Sequence, residues 1–266
     1  MQANGKWASL GWRHQVWELV RFFCSLRGIK QRDEWIQELN SGHTLKVSES
    51  EHLRVGANVV QLLIEYLKER ETALDRFFEL LRTEKKALTY CRNSKVKAGT
   101  TKTKSKDHHQ SSKALIASVN AIVTKTCSKF GLSVDTDPQT RCVWCNDRGL
   151  HVTARVLDGA IPSLVNPFLI WEIKEYWGKT SGGSKMSDAV YECHLVGREL
   201  RAYEEIANKK FIHVVFIDGR DQWQSRKPDL LRFYDLLNQG LIDALFVGKE
   251  VETKWKKFLN EACTNQ

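Results

Sequence analysis

The segment Phe168-Leu169-Ile170-Trp171-Glu172-Ile173-Lys174 constrains this chain most: an apolar run that ends in two opposite charges one residue apart. Side chains of a strand alternate between faces, so Phe168, Ile170, Glu172 and Lys174 share one side and Leu169, Trp171 and Ile173 the other. A strand this apolar belongs inside a sheet covered by helices on both faces. There an acid and an amine are costly unless they pair or bind something, so Glu172 and Lys174 mark a candidate site.

The rest of the chain can supply such a setting. With 266 residues, 42% of them hydrophobic, it can bury a substantial core. No apolar run approaches a membrane span, and Trp7, Arg13, His14 and Glu18 interrupt the stretch where a secretion signal would need unbroken apolar residues. A cytoplasmic chain without membrane contact is expected. The seven cysteines are odd in number and scattered, which suits reduced thiols better than a disulfide framework. The formal net charge is +9, which favours a polyanionic partner. Eight cations and no acid fall between Lys85 and Lys106, nearly the whole excess.

Apolar positions at helical spacing dominate residues 10 to 90. They run through Leu10, Trp17, Leu19, Val20 and Phe23, then Trp35, Ile36 and Leu39, with a break at Asn40-Ser41-Gly42. Ser48 or Ser50 can cap a further helix carrying Val59, Leu62, Leu63, Tyr66 and Leu67 and continuing through Phe77 and Leu81. Residues 1–91 therefore read as a helical domain with Trp7, Trp12, Trp17 and Trp35 as core or contact residues. Residues 92–112 turn to Lys, Thr, Ser and Gly and read as a basic linker.

Residues 113–266 have another rhythm: a helix from Leu115 to Phe130, strands at Cys142 to Cys145 and His151 to Leu157, then the Phe168 strand. A Gly-rich loop at Gly178 to Gly183, a long helix from Met186 to Asn208 and a strand from Phe211 to Ile217 follow. A helix near Leu230 to Leu237, a strand near Ile242 to Val247 and a helix from Glu252 close the order. This is an α/β domain with its sheet covered on both sides, and the strands joined through the long helix run parallel.

Asp158 closes the strand before the Phe168 strand in this reading, and if those two strands are adjacent Asp158 can lie beside Glu172. Two carboxylates and a lysine at one sheet edge suit a hard divalent cation, which lowers the pKa of a bound water and offsets charge on a phosphate oxygen. Lys174 can orient or activate that water or stabilise the phosphate.

Asp158 followed by Glu172-Ile173-Lys174, in a helix-strand-strand-strand-helix-strand order, resembles the PD-(D/E)xK nuclease superfamily. The resemblance covers roughly residues 112 to 250. It implies a restriction-endonuclease-like mixed sheet flanked by helices, here preceded by an all-α module. It also implies that Asp158 and Glu172 bind magnesium, with manganese able to substitute, and that Lys174 assists the attacking water. The implied function is a metal-dependent DNA endonuclease, a type II restriction endonuclease or another prokaryotic anti-phage defence nuclease. The implied substrate is double-stranded DNA, cut by a homodimer. A repair or recombination nuclease of the same fold, or a non-catalytic nucleic-acid-binding subunit with a defence-complex partner protein, are the alternatives. Two departures stand out: no proline precedes Asp158, and the preceding helix offers no obvious acid for a further metal ligand.

Lys95, Lys97, Lys102, Lys104 and Lys106 of the linker, with Lys179 and Lys185 of the Gly-rich loop, are the candidate contacts to a DNA backbone, against the plainer reading of solvated hinge and turn. Gly178-Lys179-Thr180 is not a nucleotide loop, because Ile173 stands where that motif needs a glycine. Cys142-Val143-Trp144-Cys145 has the spacing of half a zinc site, but the adjacent Cys193-His194 point in different directions on a helix, so zinc is not expected. His213 reads as a satisfied strand histidine rather than a catalytic base, and Lys185, Asp188 and Glu192 can face the site, although charged residues there are usually just the solvated helix face.

Overall fold

The computed structural model describes residues 1–48, 50–101, 111–178 and 183–265. Lys102, Lys104, Lys106 and Lys179 lie outside the described residues.

The chain begins with α1 (Gly5–Ala8), α2 (Val16–Ser25) and α3 (Ile29–Gly42). The expected break at Asn40-Ser41-Gly42 is instead the last turn of α3, which ends at His43 in the left-handed region, φ 49°, its N–H bonded to the Leu39 carbonyl at 2.9 Å. Where Ser48 or Ser50 was expected to cap a helix, β1 (Thr44–Lys46) and β2 (His52–Arg54) form an antiparallel hairpin. The Ser48 hydroxyl accepts the Glu51 N–H at 3.1 Å inside its turn, a local bond that competes with helix initiation. Helix α4 (Ala57–Leu80) then places Val59, Val60, Leu63, Tyr66, Ala73 and Phe77 along one buried stripe, and α5 (Glu84–Asn93) follows.

The second half contains α6 (Ala114–Lys129), β3 (Val143–Asn146), β4 (Gly149–Val152), β5 (Gly159–Ile161), β6 (Leu169–Glu175) and α7 (Gly183–Ala207). It continues with β7 (Ile212–Asp218), α8 (Arg220–Gln224), α9 (Lys227–Asn238), β8 (Ala244–Val247), α10 (Glu250–Thr253) and α11 (Trp255–Thr264). The expected strand from His151 to Leu157 is shorter and earlier. β4 ends at Val152, and residues 153–158 run irregularly. Asp158 therefore stands immediately before β5 rather than closing the strand before it.

The fold is mixed helix and sheet. β3 and β4 form an antiparallel hairpin, and the main sheet has the order β5-β6-β7-β8, with β5 antiparallel to β6 and the remaining pairs parallel. Ile170, Glu172 and Lys174 lie beside His213, Val215 and Ile217 of β7 in register. That face packs under α7 and α9. Leu169, Trp171 and Ile173 lie beside Ile212, Val214 and Phe216 on the other face, under α5, α6 and α11. The alternation expected of the opening segment holds along β6. Phe168, which precedes the strand, departs from it and packs with Leu169 and Trp171.

The N-terminal helices do not close a core of their own. Trp7, Trp17, Leu19, Val20, Trp35 and Phe77 join one hydrophobic cluster with Val190, Val215, Leu237 and Leu245, so the expected division at residue 91 crosses no gap in packing. One close approach sets the entry to the main sheet: a Cβ on Gly159 would stand 1.8 Å from the Trp171 ring. The indole lies across residue 159, and no side chain fits there.

Candidate active site

Glu172 and Lys174 meet on the face of β6 beneath α7, as alternation requires. The Lys174 ammonium donates to Glu172 Oε2 at 2.8 Å, with both side chains almost wholly buried at 5% and 1% exposed. Two further residues close this pair into a ring. Arg155 Nη1 donates to the same Glu172 oxygen at 2.6 Å, and Glu192 Oε2 of α7 accepts from Lys174 Nζ at 2.7 Å and from Arg155 Nη1. Glu192 thus turns inward, contrary to the solvated face expected of it, while Lys185 and Asp188 are exposed. Helical spacing alone does not reveal this, because whether one residue of α7 looks at the sheet depends on how the helix is rolled over it. Arg155 carried no sequence signal, since it sits in the irregular stretch before Asp158.

Beneath the ring, His213 is fully buried, with Nδ1 3.2 Å from the Leu241 carbonyl oxygen and Nε2 3.4 Å from Glu172 Oε1. Glu172 Oε1 has no hydrogen-bond partner, and the buried Cys193 thiol also lies against Glu172. His213 is therefore part of the floor of the site. Burial works to raise the Glu172 pKa, and Lys174, His213 and Arg155 override it, holding the carboxyl well below the usual carboxylate range. Burial works to lower the Lys174 pKa, and the neighbouring Cys193 and Glu172 reverse the effect and lift it above the ordinary lysine value. Lys174 is thus a fixed cation at neutral pH.

Asp158 joins them from β5. Its carboxylate oxygen Oδ2 accepts the Ile173 N–H at 2.7 Å, continuing the ladder past the end of the β5–β6 pairing. It is near enough to Lys174, Glu172 and Arg155 for their charges to act on its titration. The residue is exposed at its outer edge, yet crowding around the carboxyl raises its pKa, with the Ile173 N–H and Lys174 opposing. Of the residues proposed from the sequence, Glu172 and Lys174 are in direct contact, while the Asp158 carboxylate is bonded to the Ile173 N–H between them.

The acids present are of the kind that bind a hard divalent cation, Asp158 just before β5 and Glu172 in the middle of β6, with the Glu172 oxygen that faces His213 left without a hydrogen-bond partner. Among the described residues no three His, Cys, Asp or Glu side chains converge in a ready-made ligand set. Such an ion would rest on Asp158 and Glu172, with Glu192 at the margin. Cys142 is buried and Cys145 is exposed. Lys95, Lys97 and Lys185 are exposed.

Glu175, a conceivable partner for Lys174 by proximity in sequence, faces the opposite way. Its Oε1 accepts the Leu115 N–H at 2.7 Å and Trp177 Nε1–H at 2.6 Å, and its Oε2 the Ile116 N–H at 3.3 Å, so it caps the first turn of α6. Burial pushes its pKa up to about 7 against those donors. A carboxyl with a raised folded-state pKa binds protons more tightly folded than unfolded. Its stabilising effect is complete below the ordinary carboxylate range and is lost as pH rises through about 7. Between pH ~5 and ~8.5 the chain should lose on the order of 1–3 kcal/mol of stability relative to a Glu175→Gln variant. Urea denaturation of both proteins across that window measures this, and parallel pH profiles would refute it.

The family model described as domain of unknown function (DUF7687) matches residues 68–262. The chain belongs to that family, and the match spans the end of α4, the sheet and every residue of the charge ring. No curated protein and no solved structure matches it.

Proposed function

We propose that this member of the DUF7687 family is a magnesium-dependent endodeoxyribonuclease with a restriction-endonuclease-like core, hydrolysing phosphodiester bonds of double-stranded DNA. The observation that carries the reading is the buried contact of Lys174 with Glu172 on β6, with the Asp158 carboxylate bonded to the Ile173 N–H between them. Further support comes from the strand pattern, an antiparallel entry strand followed by parallel strands joined through α7. Within that class, the basic balance of the chain favours a type II restriction endonuclease or another prokaryotic anti-phage defence nuclease.

Bound at Asp158 and Glu172, magnesium, or manganese in its place, would supply a water of lowered pKa and offset charge on a phosphate oxygen. The chain's own groups do the rest. Lys174 donates hydrogen bonds to the attacking water or to the phosphate oxygen on which charge develops. Because its proton is held, it acts as a cation and not as a base. The Ile173 N–H steadies the Asp158 carboxylate, and His213 and Cys193 exclude water from beneath Glu172. The exposed cations Lys95, Lys97 and Lys185 grip backbone phosphates, with steep salt dependence. Cutting both strands with one site per chain calls for a symmetric homodimer.

The two cations already held by Glu172 Oε2, Arg155 and Lys174, favour a second reading, a nucleic-acid-binding subunit of a defence complex that retains the site without catalysis. Supercoiled plasmid separates the two. Nicking or linearisation with magnesium that stops with chelator and falls at least about 100-fold in Asp158→Asn is the expected result. Salt-dependent DNA binding without cleavage in either metal favours the binding subunit.

A further inference from the structure

We propose that a cavity between α2, α7 and α9, lined by none of the residues of the charge ring, binds a small aromatic anion: a flat ring system carrying one carboxylate. The cavity holds about 290 Å³, roughly twice the ~150 Å³ that accommodates a benzene ring. A fused pair of rings therefore fits. Trp17, Val20, Val190 and Leu236 form its buried inner wall. Arg21, Tyr191 and Arg232 reach solvent at its mouth. Apolar walls with a few converging polar groups are what a small-molecule site requires. Helix α7 separates this space from the sheet: Val190, Tyr191 and His194 line the cavity, while Glu192 turns to Lys174 and Cys193 lies against Glu172.

The charge around the cavity selects an anion. Arg232 Nη1 reaches Asp229 at 3.3 Å, but Arg226 already holds that acid at 2.6 Å. The Arg232 guanidinium, 5.5 Å from the centre of the Tyr191 ring, thus keeps donors for a further partner. Arg21 pairs with Glu18 one turn back on the same helix, in an exposed contact that water weakens. Asp235, an acid on the wall, is matched by Arg70 at 2.8 and 2.9 Å and by the Tyr66 hydroxyl at 2.8 Å. The balance at the cavity is therefore positive. His194 adds a second, independent sign of a ligand: its Nε2 is buried and has no hydrogen-bond partner. Burial lowers the His194 pKa, and Arg21 and Arg198 lower it further against Glu18, as a positive field would. A carboxylate entering beside the ring accepts a hydrogen bond from Nε2 and offsets that field, and an uncharged molecule of the same shape does so far less well.

The test compares 2-naphthoate with its uncharged counterpart 2-naphthamide, each titrated calorimetrically into the full chain without DNA or metal. Wild type, Arg232→Met, Arg21→Gln and Cys24→Phe are measured, with melting curves to show that each is folded. Naphthoate should bind once per chain, and naphthamide at least about tenfold more weakly. Cys24 lines the cavity, so the phenyl ring of Cys24→Phe should fill it and abolish naphthoate binding. Arg232→Met and Arg21→Gln should each reduce the preference for the acid. Arg232 and Arg21 side chains are 40% and 41% exposed, so these two variants decide the result if Cys24→Phe does not fold. Failure of naphthoate to bind at about 1 mM, equal affinities for acid and amide, or a preference unchanged in both arginine variants overturns the proposal. So does undiminished binding by a folded Cys24→Phe. The nuclease reading fails separately: naphthoate binding without plasmid cleavage keeps the cavity site and removes the nuclease, while cleavage without naphthoate binding does the reverse.

Discussion

A Lys174→Gln variant is expected to fold and to cleave plasmid about 100- to 1000-fold more slowly than the wild type in magnesium, the usual cost of removing one preorganised donor to developing charge. Lys174 is the one cation in the site that is both buried and held protonated by its neighbours. In a water-poor setting its charge acts on a phosphate oxygen with little screening. Glutamine keeps a hydrogen-bond donor near Glu172 and Glu192, and Arg155 remains to pair both acids, so the loss of rate should exceed the loss of stability. The initial rate of supercoil loss, measured beside a melting curve, reports both. A full rate with Lys174 absent would end the catalytic assignment, and equal losses of rate and folded fraction would make Lys174 a structural counter-ion only.

The second large effect lies outside the site. Arg82, between α4 and α5, is 1% exposed. It donates from its backbone N–H and from Nε to the two oxygens of Asp218, at 2.8 and 2.7 Å, and from Nη1 to Glu252 at 2.5 Å. Asp218 ends β7, beside Glu175 of β6, and is completely buried. Arg82→Met should destabilise the chain by about 3–5 kcal/mol, because it strands a buried carboxylate that water cannot reach. The double variant Arg82→Met with Asp218→Leu should recover most of that loss, since the cost lies in the unpaired charge. Urea midpoints of the three proteins measure it. A change below about 1 kcal/mol in the single variant would show that water reaches Asp218.

The Arg82–Asp218 pair also explains why the expected boundary near residue 91 does not separate the helices from the sheet. Composition changes sharply there, because the following stretch is rich in lysine, threonine and serine. Composition reports solvent exposure of the segment itself and is silent about what the helices on either side touch. Of the tryptophans expected as core or contact residues, Trp7, Trp17 and Trp35 are buried, and Trp12 is partly buried against the same cluster. The hydrophobic cluster they join also takes in residues of α7, α9 and the sheet. The β1–β2 hairpin was likewise hidden, because three-residue strands are too short to display a period.

Local chemistry was enough to determine the β6 strand, the side on which Glu172 and Lys174 lie, the covered sheet and the helix joining its parallel strands. Alternation and hydrophobic periodicity act through neighbours in the chain and need no tertiary knowledge. The roll of α7 that turns Glu192 inward, the placing of Arg155 over Glu172 and the turning of Glu175 to cap α6 depended on the folded chain. Each joins residues 17 to 60 positions apart, and side-chain pairing at such separations follows from how elements dock. The same docking makes Lys174 a fixed cation, because its pKa is set by burial and by the acids brought against it, neither of which is a property of the sequence Glu-Ile-Lys.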